Sequence, residues 1–297
     1  MLCSVIIPTI GRPTLSRAID SVLQQPLVVD EVEIIIVNDS GKRLDLSCYE
    51  HHPKITVVDT NRSGLCFACN AGASIARGDY LKFLHDDDYL LESGLIALLA
   101  ATGGGRHKWV IGSAVIVDDN GKKIYDLDSS DVKGNILAEF MAGESIHVSY
   151  CLFHRQTFLD LGGFNTEELK HSAEDRDLAA RFAAKFDVTS ISRRVACVRL
   201  SGGGASAYSS VNAAYYHNLA RERIFSFPKF HKRLSDSLKG RTSLRGRVCR
   251  QIISSSLLNL NQRNVCLTID RLFWCGYFAS GYVFYPAFWT GLVSNRS

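Results

Sequence analysis

Apolar positions along the first hundred residues switch between a strand-like and a helical period, and the switching predicts an α/β fold. Residues 3–7 (Cys-Ser-Val-Ile-Ile) form a nearly continuous apolar run, as in a strand buried on both faces, and Pro8 is expected to stop it. Leu15, Ala18, Ile19, Val22 and Leu23 then fall on one helical face behind Thr14, a plausible N-cap. Residues 32–37 repeat the strand pattern and end in Asn38-Asp39-Ser40-Gly41. Ile55 to Val58 predict a third strand, residues 65–76 a helix, Tyr80 to Leu84 a fourth strand and residues 90–101 another helix. Strands alternating with helices argue for a mostly parallel sheet covered on both faces. Ligands of such sheets bind beyond the carboxyl ends of the strands. Those ends carry Pro8-Thr9, Asn38-Asp39 and His85 to Asp88, so three separated segments are expected to converge on one crevice.

The pattern changes after residue 103. Gly103-Gly104-Gly105 reads as a loop, because no GxGxxG stands between a strand and a helix there. Trp109 to Asp118 and Lys122 to Leu127 flank Asn120-Gly121, a hairpin signal. A helix is expected over 132–142, a strand over 147–154, a helix opening at Glu174-Asp175 and a last strand over 188–199. Acids at a helix start favour the macrodipole, which is one account of Glu174-Asp175. Leu178, Ala179, Phe182 and Ala183 mark that helix's apolar face, and Asp177 reads as a solvated position. The Gly/Ser-rich stretch Ser201 to Ser210 reads as a boundary between a domain over 1–205 and a helical, basic and aromatic region over 206–297.

Within that second region, residues 272–295 hold no charged side chain and are rich in Phe, Trp and Tyr. The run is long enough to cross a bilayer, but it contains three glycines and Pro286, and aromatics suit the interface better than the hydrocarbon centre. One expectation is an in-plane or re-entrant anchor behind a basic helix, giving peripheral membrane contact through 211–297. The other is an apolar cap, buried on the first domain or in a homodimer.

Composition narrows the class. The 297 residues are 46% hydrophobic and carry a net charge of +4, too little to argue for a nucleic-acid partner. Nine cysteines suggest no disulfide framework and read as reduced thiols of a cytosolic protein. Cys66 and Cys69 make a single CxxC with no second pair for zinc; they read as small residues on one helical face or as a redox pair. No basic segment, apolar run and cleavage site open the chain, so secretion is not expected.

The sharpest chemical signal is Tyr80 to Asp88, where an apolar strand ends in three adjacent carboxylates. Such a cluster is either a solvated acidic turn or a site sharing a hard divalent ion such as Mg²⁺ or Mn²⁺.

Taken in order, several segments resemble family 2 glycosyltransferases of the GT-A fold. They are Val5-Ile6-Ile7-Pro8-Thr9 with Arg12-Pro13, Ile35 to Ser40, and Asn61, Gly64, Ala68, Asn70, Gly72, Ala76, Gly78 and Asp79. Phe83 to Asp88, and Leu161 to Asn165 followed by Glu174-Asp175, complete the set. The resemblance covers about residues 3–200 and implies an inverting transfer of a sugar from a nucleotide diphosphate, UDP favoured, to a hydroxyl of a glycan or lipid-linked acceptor. It implies that Pro8, Thr9, Arg12, Asp39, Asn70 and Asp86 bind the donor nucleotide and that Mn²⁺ or Mg²⁺ sits on His85, Asp87 and Asp88. Asp39 would accept from a uracil-type imide N–H; its alternative role is a turn cap. Asp175 would be the base and Glu174 would orient the site.

Three departures stand out. His85 replaces the first acid of the family's metal motif, so either it ligates the ion or Asp86 and Asp88 compensate. Cys69 stands where Arg is frequent, and no His follows the last core strand; Arg199 and a Gly/Ser loop able to act as a lid stand there. Membrane-face synthesis of a cell-surface polysaccharide is the leading expectation, with a sugar nucleotidyltransferase and a non-catalytic sugar-nucleotide-binding scaffold as alternatives.

Overall fold

The computed structural model describes residues 2–26, 31–49, 51–166, 174–200 and 219–293. Contacts group the chain into two units interleaved in sequence. One comprises Met1–Gly134, His147–Asp175 and Asp187–Tyr208; the other comprises Asn135–Ile146, Arg176–Phe186 and Ser209–Ser297.

The first unit holds a nine-stranded sheet: β1 (Cys3–Thr9), β2 (Val32–Asn38), β3 (Ile55–Asp59), β4 (Tyr80–Phe83), β5 (Tyr89–Leu90), β6 (Trp109–Val117), β7 (Lys123–Leu127), β8 (Cys151–His154) and β9 (Thr189–Arg199). Their order is β3-β2-β1-β4-β8-β6-β9-β5, with β7 paired to β6. The β3-β2-β1-β4 half is parallel, β8 runs antiparallel to both β4 and β6, and β9 returns parallel to β6. The mostly parallel sheet with an antiparallel part expected from the sequence is present. Every residue of β1, β2 and β4 is buried, which is why these strands read as continuous runs rather than alternations.

Four local expectations need correction. β1 continues through Pro8, which pairs with Val37, because β4 has left the other side of β1 after Ile6 and no ladder bond requires the missing N–H. The helix expected over 90–101 is the short strand β5 followed by α3 (Gly94–Ala101), since Leu90 is captured by Ala196 of β9 and Ser93 turns the chain at φ 56°. The helix expected over 132–142 shrinks to α4 (Leu137–Met141), because Gly134 adopts φ 75° and bridges to Val188. The strand expected over 147–154 begins with a 3₁₀ turn, Val148–Tyr150, before β8, and α5 (Arg155–Asp160) follows directly.

α1 (Leu15–Leu23) buries Leu15, Ala18, Ile19 and Val22 as expected, although Thr14 makes no side-chain cap bond. α2 (Leu65–Ile75) and α6 (Glu174–Ala183) also form. The boundary loop at Ser201 to Ser210 lies outside the described residues.

The second unit is helical: α4, the rest of α6 from Arg176, α7 (described over 219–225), α8 (Phe230–Ser237), α9 (Thr242–Asn261), α10 (Val265–Ala279) and α11 (Pro286–Val293). α10 and α11 both pack on α9. At the α9–α11 crossing, a Cβ on Gly246 would lie 2.1 Å from the Phe288 carbonyl oxygen, and one on Gly291 would lie 1.9 Å from that of Ser243. Only glycine allows that approach. Among the described residues no helix is long and apolar enough to cross a membrane.

Candidate active site

The carboxyl end of β1 meets the acidic loop after β4. Thr9 Oγ1 donates to Asp86 Oδ2 at 2.6 Å and accepts from the Gly11 N–H at 2.9 Å. Arg12 Nη1 reaches Asp86 Oδ1 at 2.5 Å. Asp86 is thus a buried carboxylate with both oxygens engaged, and it aims a half-exposed guanidinium across the strand end. Pro8 is buried within β1 and brings no polar side-chain group.

Asp39 follows β2. Its Oδ1 accepts from the Ser63 N–H at 2.7 Å and from Thr60 Oγ1 at 2.8 Å, and its Oδ2 accepts from the Gly64 N–H at 2.9 Å. The carboxylate therefore sits at the positive N-terminus of α2 and keeps about one of its roughly four acceptor positions. Beside it, an open cavity of about 980 Å³ is lined by Asn38, Lys42, Tyr49, Val57, Asp59 and Asn61, among others.

Asn70 on α2 is held by backbone. Its Nδ2 donates to the Phe164 carbonyl at 2.8 Å and its Oδ1 accepts from the Phe164 N–H at 2.8 Å. Gly163, at φ 64°, is required there, since a Cβ would lie 2.5 Å from Asn70 Oδ1. Neighbouring Cys69 is buried, and desolvation raises its thiol pKa well above the usual range, making it a poor nucleophile.

The rest of the acidic loop faces the 3₁₀ turn. His85, Asp88 and His147 can each offer a ligand atom within 4.8 Å of the others. The His85 and His147 rings meet edge to face at 4.8 Å. Asp88 is 1% exposed; its Oδ1 accepts from the Arg199 N–H at 2.8 Å, while its Oδ2 is buried without a hydrogen bond among the described residues, 3.8 Å from His147 Nδ1. Burial pushes Asp88 up to about 6, with His85, the Ser149 hydroxyl and the Arg199 N–H partly opposing it. Desolvation lowers His85, and the neighbouring His147 lowers it further. Desolvation also brings His147 down to about 4. Asp87 is half-buried in the same loop, and its backbone carbonyl accepts from Arg17 at 3.3 Å.

Beneath the turn lies Lys82, fully buried in β4. Its ammonium donates to the carbonyls of Phe83 (3.3 Å), Val148 (3.4 Å) and Ser149, and burial lowers its pKa to about 8. The turn also holds Asp175, whose Oδ2 accepts from the Val148 N–H at 3.1 Å. Asp175 Oδ1 and Glu174 Oε2 are buried without hydrogen-bond partners among the described residues. Desolvation and the charge of Glu174 raise Asp175 well above the carboxylate range, with the Val148 N–H opposing.

Thr9, Arg12 and Asp86 thus form one hydrogen-bonded group, and His85, Asp88 and the 3₁₀ turn with Asp175 form a second. Asp39 is held at the N-terminus of α2, and Asn70, midway along α2, is held by the Phe164 backbone. Asp177 is not solvated: it is fully buried and paired with Arg181 Nη2 at 2.5 Å. Arg199 directs its guanidinium to the Asp119 carbonyl at 2.5 Å. Sequence reasoning missed His147, Ser149 and Lys82. The isolated Lys82 in an otherwise apolar strand was the available signal, because a buried ammonium must be surrounded by acceptors.

A sequence profile described as Glycosyl transferase family 2 matches residues 4–158. The chain is 36% identical over 94 residues to "Uncharacterized glycosyltransferase EpsJ" of Bacillus subtilis (strain 168), covering 30% of this chain and 27% of that protein. It is 32% identical over 95 residues to "Minor teichoic acid biosynthesis protein GgaB" of the same strain, covering 30% of this chain and 11% of that protein. The chain therefore aligns with under a third of the length of these relatives. The crystal structure of S. aureus TarS 1-349 in complex with UDP-GlcNAc superposes with a TM-score of 0.64 at 14% identity, over 93% of this chain and 91% of that one.

Proposed function

Since this chain belongs to glycosyl transferase family 2, we propose that it catalyses inverting transfer of a sugar from a UDP-linked donor to a hydroxyl of a glycan or lipid-linked acceptor in cell-surface polymer synthesis. The observation that carries the reading is Asp175: a carboxylate with one oxygen fixed by the Val148 N–H and the other buried and unpartnered. Such an oxygen can take the proton of an attacking hydroxyl. Its raised pKa makes it a stronger proton acceptor than a solvated carboxylate, which suits a general base. Glu174 raises that pKa by its own charge.

The donor nucleotide lies, in this reading, against Thr9, Arg12, Asp39 and Asp86. Arg12, oriented by Asp86, offers N–H donors to phosphate oxygens, and the free acceptor position of Asp39 takes an imide N–H of the base. Asn70 serves by fixing the Gly163-Phe164 loop. The buried, unpartnered Asp88 oxygen beside His85 suits a cation, so these residues, with Asp87 in the same loop, would hold Mn²⁺ or Mg²⁺. The chemistry such an ion supplies is neutralisation of the charge growing on the departing nucleoside diphosphate.

The UDP preference is supported by the likeness to TarS with UDP-GlcNAc, and the cell-surface acceptor by the relation to GgaB. We assign catalysis to the domain over 1–205 and, within the region over 206–297, peripheral contact with the inner membrane face to 211–297. Exposed Phe273, Phe284, Trp289 and Val293 support that contact.

The test is transfer from radiolabelled UDP-sugars to membrane-extracted acceptors, beside calorimetric titration with UDP, dTDP and GDP. Asp175→Asn is expected to lower kcat by about 10²–10⁴-fold while UDP still binds. Full transfer by Asp175→Asn, or binding of none of the nucleotides, overturns the reading.

A further inference from the structure

The metal set expected from the acidic loop alone is His85, Asp87 and Asp88, beside Asp86 on the donor nucleotide. The structure changes its composition. Asp86 is consumed by Thr9 and Arg12, whereas His147, sixty-two positions beyond His85 by subtraction of their numbers, comes to the unpartnered oxygen of Asp88.

We propose that His85, Asp88 and His147 form a two-imidazole, one-carboxylate metal site that selects a first-row transition ion such as Mn²⁺ or Co²⁺ over Mg²⁺. Three observations carry it. The ligand atoms lie within 4.8 Å of one another, and ligands about 2.1 Å from a shared ion stand roughly 3–4 Å apart, so ring rotation closes the set. Asp88 Oδ2 is buried with no hydrogen bond among the described residues, which a native protein rarely tolerates without an ion or water to meet it. The set is also held from behind: the Arg199 N–H fixes Asp88 Oδ1, the His85 N–H lies 3.4 Å from Ser149 Oγ, and Lys82 pins the carbonyls of the turn that carries His147.

Ligand chemistry sets the selectivity. Mg²⁺ prefers oxygen donors and near-ideal octahedral geometry, whereas imidazole suits the later first-row ions. The replacement of an acid by His85 is thereby a change of ion and not a loss of the site. Binding of the ion rests on this geometry alone; only its service to a sugar donor rests on the glycosyltransferase reading.

The experiment uses the full chain, stripped with chelator and titrated with MnCl₂, CoCl₂ and MgCl₂, first alone and then with UDP. Binding is read by calorimetry, by nitrogen hyperfine coupling to bound Mn²⁺ and by the visible spectrum of bound Co²⁺. Expected are one Mn²⁺ or Co²⁺ per chain, roughly tenfold or more tighter than Mg²⁺, with coupling to two ligand nitrogens that falls to one in His147→Gln. His147→Gln and His85→Ala should each weaken Mn²⁺ by about 10–100-fold, as loss of a ligand or its support does. His85→Asp, checked for native circular dichroism, should recover Mg²⁺ at the expense of Co²⁺. Equal affinity for Mg²⁺ and Mn²⁺, absence of nitrogen coupling, or Mn²⁺ affinity untouched by both His147→Gln and His85→Ala overturns the proposal. UDP binding without metal binding also overturns it, and leaves the glycosyltransferase reading standing. Mn²⁺ binding with the stated coupling but no UDP binding upholds the site and overturns the donor reading instead.

Discussion

Two adjacent carboxylates with opposite needs set the chemistry at Glu174 and Asp175. Desolvation and the charge of Glu174 both penalise ionisation of Asp175. A base with a raised pKa works only above that pKa, so transfer is expected to fall as pH is lowered through it. Glu174→Gln removes the like charge, lowers the Asp175 pKa and moves the acid limb of kcat/KM to lower pH. A pH–rate profile measures this; an unmoved acid limb would detach Glu174 from the base. Several such residues were legible in the sequence because their chemistry is local: an apolar strand ending in acids, or acids opening a helix. His147 was not, because nothing in its own neighbourhood marks it. Its role exists only once β4 and β8 lie antiparallel and bring the turn over the acidic loop. Asp177 was misread for a related reason. Helical spacing shows which face a residue occupies, but the partner that makes burial of a carboxylate tolerable, Arg181, is legible only as a weak i,i+4 pair.

At the scale of elements, periodicity succeeded where a segment is buried in the manner of its type and failed where tertiary pairing decides. β1, β2 and β4 are continuous apolar runs buried on both faces, and their register follows. Residues 89–101 are equally apolar, yet a pairing with β9 converts the first two into strand. The α9–α11 crossing was illegible too, because Gly246 in a basic, helical stretch carries no periodic signal. With the Phe288 carbonyl 2.1 Å from where a Cβ would stand, Gly246→Ala must push α11 away. It is expected to destabilise the protein by about 1–3 kcal/mol, as overpacking does. Denaturant unfolding checks this, and an unchanged midpoint would show that the crossing yields freely.

At the scale of the whole molecule, the aromatic tail divides between buried and exposed positions. Cys275, Phe278 and Phe288 face the interior of the helical unit, while Phe273, Tyr277, Phe284 and Trp289 are exposed. The basic run is less available than its composition suggests. Arg221, Arg245 and Arg271 are buried; Arg245 donates to the carbonyls of Phe278 and Leu238, and Arg271 pairs with Glu222 at 2.7 Å. Membrane contact through this unit should therefore be aromatic more than electrostatic. Co-sedimentation with phosphatidylglycerol vesicles is expected to persist at 0.5 M salt, where the Debye length is only about 4 Å, and to be lost in Phe284→Ser with Trp289→Ser. Binding by the double variant, or none by the parent, would remove the membrane assignment.

The turn over Lys82 has a consequence for how this enzyme can change. His147 reaches the metal set, and the N–H of the very next residue holds Asp175. One peptide link thus joins the proposed leaving-group pole to the proposed proton-accepting pole, and a single buried ammonium holds the carbonyls of the next two residues to the sheet. A substitution that tilts the turn moves both poles together, so neither can be retuned alone. Variation in donor or acceptor must then be found elsewhere, in the loops that border the pair, while the spacing between the two ends of the reaction is inherited as one part.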